Sequence, residues 1–186
     1  MKTVAQVSTL ESLNGRGVFS TVPKPKKIVM VGAGGVGKST IASRLVTGTF
    51  VNRSMTIGLD VESWTLVDEE GQVSAKASIF DLGGQEQFRF FQERFVAGAS
   101  IVLIVFDVTR FMTIVAIDEW LPMIDSLPRD RWILVGNKTD EGSTISTEEI
   151  EKKGRVLRIP FILVSAKTGE NFEKLAEMVE LLLRSA

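Results

Sequence analysis

Nine residues, Gly32-Ala33-Gly34-Gly35-Val36-Gly37-Lys38-Ser39-Thr40, carry the clearest chemistry in the chain. A G-x-x-x-x-G-K-[ST] pattern needs glycines whose peptide N–H groups can turn inward around a polyphosphate. It also needs a lysine that reaches the β and γ phosphates and a hydroxyl offered to Mg²⁺. Gly34, Gly35, Val36 and Gly37 supply the loop, Lys38 the cation and Ser39 the hydroxyl, and Thr40 leads into a helix whose positive end faces the anion. The alternative is a glycine-rich turn with a solvated lysine. It leaves unexplained the apolar run Lys27-Ile28-Val29-Met30-Val31 before the loop and the helix-period segment from Thr40 to Val46 after it.

Three more apolar runs end in residues of related chemistry. Phe80-Asp81-Leu82-Gly83-Gly84-Gln85 offers Asp81 to hold the metal through water, opposite Ser39, and two glycines that let the backbone approach a terminal phosphate and swing away. Asn137-Lys138-Thr139-Asp140 follows Trp132 to Gly136. Guanine shows a donor edge at N1 and N2, and the one carboxylate of Asp140 can accept both hydrogens; adenine lacks that edge. Asn137 can bond the base and brace the loop, while the aliphatic stem of Lys138 can lie over the ring face. In Ser165-Ala166-Lys167 the backbone N–H of Ala166 can meet the guanine carbonyl.

The elements that must position these groups follow from periodicity. Strands are predicted near 27–32, 58–67, 73–81, 101–107, 132–137 and 160–164, and helices near 38–48, 86–96, 111–126, 146–153 and 170–184. The stretch from Asp68 to Gln72 reads as a hairpin and the other connections run through helices, so the sheet is mainly parallel and covered on both faces. The expected class is therefore α/β: a three-layer P-loop NTPase domain with six strands and five helices. In such a sheet ligands bind beyond the carboxyl ends of the strands, where the four motifs lie. Ser146 and Glu149 form a candidate capping box, with Gly154 expected to close that helix. Asp60, Glu62, Trp64 and Leu66 alternate onto one strand face, and Trp64, Phe80 and Phe88 are candidates for an aromatic patch that partners read; core packing explains those aromatics equally well.

Bulk composition narrows the function classes. With 186 residues the chain fits one domain, residues 27–186, and an extension, residues 1–26. In that extension Val4, Val7, Leu10 and Leu13 allow a short amphipathic helix before glycines and prolines break the period; a flexible tail is the other reading. A net charge of -1 with mixed signs advertises neither nucleic-acid binding nor a polybasic membrane surface. The absence of cysteine removes disulfides, thiolate metal sites and prenyl or palmitoyl anchors, and the Met-Lys start does not match the N-myristoylation pattern. No apolar run is long enough to span a bilayer. The expectation is a cytoplasmic protein without a lipid anchor, whose membrane association, if any, is weak and runs through the N-terminal segment. With no histidine or tyrosine, proton transfer falls to carboxylates, lysine, hydroxyls, water or phosphate.

Taken in this order, the motifs resemble those of a small GTPase of the Ras superfamily over residues 27 to about 184. The resemblance implies a G domain in which Gly32 to Thr40 is the phosphate loop, Asp81 to Gly84 the third motif, Asn137 to Asp140 the base-specificity motif and Ser165 to Lys167 the last. It places Phe50 against the guanine, gives Thr56 to Mg²⁺ in the triphosphate state and has Gln85 orient the attacking water. Asp81-Leu82-Gly83-Gly84-Gln85 and the Lys38-to-Thr56 spacing look Arf-like or Sar-like, whereas Gln85 to Arg89 and Ile159 to Asn171 look Rab-like; a prokaryotic or archaeal Ras-like protein also fits.

The implied function is a molecular switch that binds GTP or GDP with Mg²⁺ and hydrolyses GTP to GDP and phosphate, slowly without an activating partner. Effectors, activating proteins and exchange factors would act through the switch regions. Arg53 stands three residues before Thr56, as the built-in arginine does in heterotrimeric G-protein α subunits, which raises the hypothesis that it reaches the phosphates in cis as a catalytic residue; a solvated switch-loop arginine is the more common case. Two competing functions are a nucleotide-dependent interaction module with negligible turnover, and an ATPase or small-molecule kinase. Asp140 argues against the last.

Overall fold

The computed structural model describes residues 24–68, 70–84 and 89–185, the side chains of residues 89–91 excepted. Most of the N-terminal extension, together with Gln85 and Phe88, lies outside the described residues. Six strands form one sheet in the order β2-β3-β1-β4-β5-β6. They are β1 (Lys26–Val31), β2 (Leu59–Val67), β3 (Val73–Leu82), β4 (Ile101–Asp107), β5 (Trp132–Asn137) and β6 (Phe161–Leu163). Only β2 and β3 pair antiparallel; all other neighbours are parallel. Their hairpin is held by Asp68, whose Oδ1 accepts the N–H groups of Glu70 (3.0 Å) and Gln72 (2.8 Å).

Helices α1 (Lys38–Thr47) and α6 (Phe172–Ser185) cover one face, and α2 (Arg89–Val96), α3 (Phe111–Val115), α4 (Leu121–Ile124) and α5 (Thr147–Leu157) cover the other. Strand alternation makes this sandwich. In β1, Ile28 and Met30 join the core under α1 and α6, while Val29 and Val31 join the core on the opposite side. Every residue of β4 is buried, which is why Ile101 to Phe106 reads as one apolar run.

Three sequence expectations change at this level. The single helix over 111–126 is three pieces: α3, a 3-10 turn at Ala116–Glu119, and α4, which has Pro122 in its first turn. Proline has no N–H to donate to the preceding turn and its ring crowds the carbonyl there, so a helix running on through position 122 would kink or break, whereas the first turn of α4 accommodates Pro122. Gly154 does not end α5. The helix continues to Leu157 and closes on Arg158 in the left-handed region (φ 58°), while a Cβ on Gly154 would lie 3.3 Å from the Ile159 carbonyl and 3.6 Å from the Phe161 ring. Its smallness lets β6 start close to the helix. The Ser146–Glu149 capping box forms as expected.

The aromatic patch is the third correction. Trp64 pairs with Ala77 and Val61 with Phe80, so Trp64 and Phe80 fall on opposite faces of the sheet. Trp64 is 7% exposed and packed in the α1 and α6 core, while Phe80 packs on the far side under the Lys27 ammonium.

Candidate functional site

All four parallel strands with a motif end at the same edge, and a cavity of about 520 Å³ opens there. Of the residues expected to bind nucleotide or metal, Gly34, Gly35, Gly37, Lys38, Ser39, Thr40, Phe50, Arg53, Thr56, Asp81, Gly84, Asn137, Lys138, Asp140, Ala166 and Lys167 line it. Val36 and Ser165 stand behind the wall as supports. Asn52, Ser54, Met55 and Glu141 also line it and were not singled out by the motifs.

Each part of the site is held by a local reason. Gly37 caps α1 with φ 94°, a left-handed angle, and a Cβ there would come within 2.2 Å of the Asn137 amide nitrogen. That amide donates to the Val36 carbonyl at 2.9 Å, and Asn137 Oδ1 accepts the Ala166 N–H at 3.0 Å. One side chain, 3% exposed, thus ties the phosphate loop to both base loops. Asp140 is braced on both oxygens, by the Ser165 hydroxyl at 2.6 Å and Lys167 Nζ at 3.6 Å. Arg44 on α1 donates to the carbonyls of Ala166 (2.9 Å) and Lys167 (3.2 Å), a support that no motif announced.

Lys38 is almost fully buried and donates to the carbonyls of Gly32 (2.8 Å) and Ala33 (3.1 Å). Burial lowers its pKa to about 8, against the pull of Asp81. Asp81 is pushed upward by burial, while Lys38 and hydrogen bonds from Ser39 and Thr56 act against that rise. The hydroxyls of Ser39 and Thr56 lie 2.7 Å apart, and both donate to Asp81 Oδ2, Thr56 at 2.9 Å. Asp81 Oδ1 is buried with no hydrogen-bond partner.

Three hard oxygen donors from three segments, one with a spare lone pair, suit a divalent cation such as Mg²⁺ that keeps waters and phosphate oxygens in its shell. Among the described residues there is no group of three or more His, Cys, Asp and Glu that would form an all-protein cage.

The third motif touches both neighbours. Gly83 N–H donates to the Gly58 carbonyl at 2.8 Å, and a Cβ on Gly83 would sit 2.9 Å from the Thr56 carbonyl. A Cβ on Gly84 would lie 2.2 Å from Gly34 N. The backbone at Gly83 and Gly84 is therefore wedged between the Thr56 segment and the phosphate loop, with no room for a side chain.

Arg53 stays partly exposed and is held away from the phosphate loop: Nε donates to the buried Ser43 hydroxyl at 2.7 Å, and the guanidinium pairs with Glu62 at 2.9 Å and lies 3.9 Å from Asp60. Residues that brace the site without belonging to a motif are Arg44, Ser43, Glu62, Asp107 and Arg110. For Asp107 a signal existed, since it closes an apolar strand at the edge where the motifs gather.

A phosphate loop at the end of β1 joined to a carboxylate-bearing base loop at the end of β5 defines a nucleotide-binding α/β domain. Residues 27–184 match the model of the Ras family, and the chain belongs to the Ras family of small GTPases. It is 36% identical over 163 residues to the Ras-related protein SEC4 of Saccharomyces cerevisiae, covering 83% of this chain and 74% of that one. It is 34% identical over 153 residues to the GTP-binding protein YPTM1 of Zea mays, covering 80% and 73% respectively. Of the two subfamily resemblances, the Rab-like features agree with these relatives better than the Arf-like ones. Among the described residues no helix is long and apolar enough to cross a membrane.

Proposed function

We propose that this chain is a switch that binds GTP and GDP with Mg²⁺ and hydrolyses GTP to GDP and phosphate. The observation that carries the reading is the meeting of Thr56 with Ser39 and Asp81, because a residue of an otherwise exposed arm has no structural need to reach the phosphate loop. Ser39, Thr56 and Asp81 would hold the metal, which neutralises charge on the phosphates when bound. Lys38 and the loop N–H groups would bind the terminal phosphates and stabilise the charge that develops on the transferred group. Asp140 would select guanine through its paired donor edge, with Asn137, Lys138, Ala166 and Phe50 framing the base. Gln85, by resemblance, would orient the water.

Arg53 can act on the phosphates only by leaving Ser43 and Glu62, so unaided hydrolysis is expected to be slow. A partner's arginine typically raises such rates about 10³- to 10⁵-fold. Activating, exchange and effector proteins would engage the arm around Thr56 in the cytoplasm. Phosphate release measured with GTP and with ATP tests the proposal: release from GTP that stops on chelating Mg²⁺ is expected. Equal release from ATP would remove the base assignment, and GDP binding without any release would leave a non-hydrolysing interaction module.

A further inference from the structure

Arg110 belongs to none of the nucleotide motifs, yet its guanidinium touches the phosphate loop. Its position is set by Asp107, the last residue of β4, whose side chain is fully buried. Arg110 Nε donates to Asp107 Oδ2 at 2.9 Å, and Nη2 donates to the Gly34 carbonyl at 3.1 Å. A Cβ on Gly35 would meet Nη2 at 3.6 Å and Nη1 at 4.0 Å, so the guanidinium lies along two consecutive loop residues. The same Asp107 Oδ2 takes Lys138 Nζ at 2.6 Å, while Oδ1 takes the N–H and O–H of Thr109. One buried carboxylate thus fastens the lysine of the base motif and, through Arg110, the phosphate loop.

The peptide between Gly34 and Gly35 is trans, so its C=O and N–H point in opposite directions. Arg110 holds the carbonyl side, which turns the Gly35 N–H away from the arginine. Both glycines line the cavity. A charge-assisted bond to a carbonyl polarises its peptide and makes the N–H a better donor. We infer that Arg110 is a positioning residue for the phosphate loop. It holds and polarises the Gly34–Gly35 peptide so that the β-phosphate end of the nucleotide is bound more tightly, without itself touching the nucleotide. The inference rests on the guanine-nucleotide reading above. The arginine side chain is 47% exposed, so solvent screens the effect and keeps it moderate.

The test measures GDP and GMP affinities of the full chain, Arg110→Ala and Arg110→Lys by competition against a fluorescent GDP analogue, together with thermal midpoints. Arg110→Ala should weaken GDP about 5- to 10-fold with GMP affinity unchanged, and should lower the midpoint modestly, because Asp107 keeps Lys138 and Thr109 but loses one charged partner. Arg110→Lys keeps the charge but has no planar fork to span Asp107 and Gly34, and should fall between. Equal losses of GDP and GMP, or no loss of either, overturn the inference. Failure of the unsubstituted chain to bind GDP overturns the nucleotide reading itself, which is a separate result.

Discussion

Two buried carboxylates end neighbouring regions of the site, and they are treated in opposite ways. Asp107, at the end of β4, is satisfied by Lys138, Arg110 and Thr109, which outweigh burial and hold its pKa below the usual carboxylate range. Asp81, at the end of β3, has its pKa raised by burial and keeps one oxygen without a hydrogen bond. The base half around Asp107 is complete within the protein: Asn137, Ser165 and Ala166 are buried and bonded to one another's loops. Among the described residues the hydrogen bonds to Asp81 come from hydroxyls that are themselves chelate-ready, with Lys38 acting as a nearby charge, and the arm exposes Phe50, Asn52, Arg53, Ser54, Met55 and Ile57. A half that is finished can select a ligand, whereas a half that is unfinished can change state when the ligand completes it. Helix α1 serves both, since Arg44 ties down the Ala166–Lys167 loop and the adjacent Ser43 ties down Arg53 of the arm.

The strongest way to break the comparison is to change what the finished half selects. Asp140→Asn replaces an acceptor of two hydrogens by a group that can donate, so guanine loses its match and xanthine, with a second carbonyl, gains one. GDP affinity is expected to drop by roughly 10²-fold or more, with xanthosine diphosphate favoured instead. Undiminished GDP binding in a titration would mean that Asp140 does not read the base.

Next comes the unfinished half. Gly84→Ala puts a Cβ where Gly34 N now lies, so the third motif must retreat from the phosphate loop. GTP hydrolysis should fall by about 10²-fold, the scale of losing a positioned donor to the transition state. GDP affinity should change little, because the base half and the loop's own N–H groups remain. If both fall together, the two halves are not separable.

How much of this was legible in the residues varies by region. Strands buried on both faces announced themselves as continuous apolar runs, and motif spacing brought Ser39, Asp81, Asn137 and Asp140 to one edge, because a parallel sheet puts every strand's carboxyl end there. The broken helix hid because Ile114, Ile117 and Trp120 recur every three residues, a spacing that suits a 3-10 turn as well as an α-helix. Trp64 and Phe80 were grouped as neighbours because facing is settled by the β2–β3 register, which neither strand reveals alone. Arg110 and Gly34 are 76 positions apart, and their bond depends on β4 lying beside β1.

A smaller effect is expected at the clamp on the arm. Arg53 holds Glu62, whose side chain is only 15% exposed, but is itself 37% exposed, so the pair is partly screened. Arg53→Ala should leave single-turnover hydrolysis unchanged and speed release of a fluorescent GDP analogue by about 2- to 5-fold, the range of a partly exposed ion pair. A large loss of intrinsic hydrolysis would restore the in-cis arginine and show that the clamp opens during turnover.

The last test reads stability instead of binding and separates the two carboxylates by pH. Asp107 has a folded pKa below its ordinary value of 3.8, so folding favours its charged form. Its contribution to stability is present above that ordinary value and is lost as pH falls through the lower folded value. Asp107→Asn keeps the shape but weakens the bonds to Lys138 and Arg110, and should cost roughly 2 kcal/mol at neutral pH. The gap between the two proteins in thermal or denaturant unfolding should hold steady from pH 7 to about 5 and close in stronger acid. Asp81 acts with the opposite sign, since its raised pKa makes protonation favour the folded state, but it is present in both proteins and cancels in the difference. A gap that widens in acid would mean that Asp107, like Asp81, is strained by burial, and the contrast between a finished and an unfinished half would fail at its anchor.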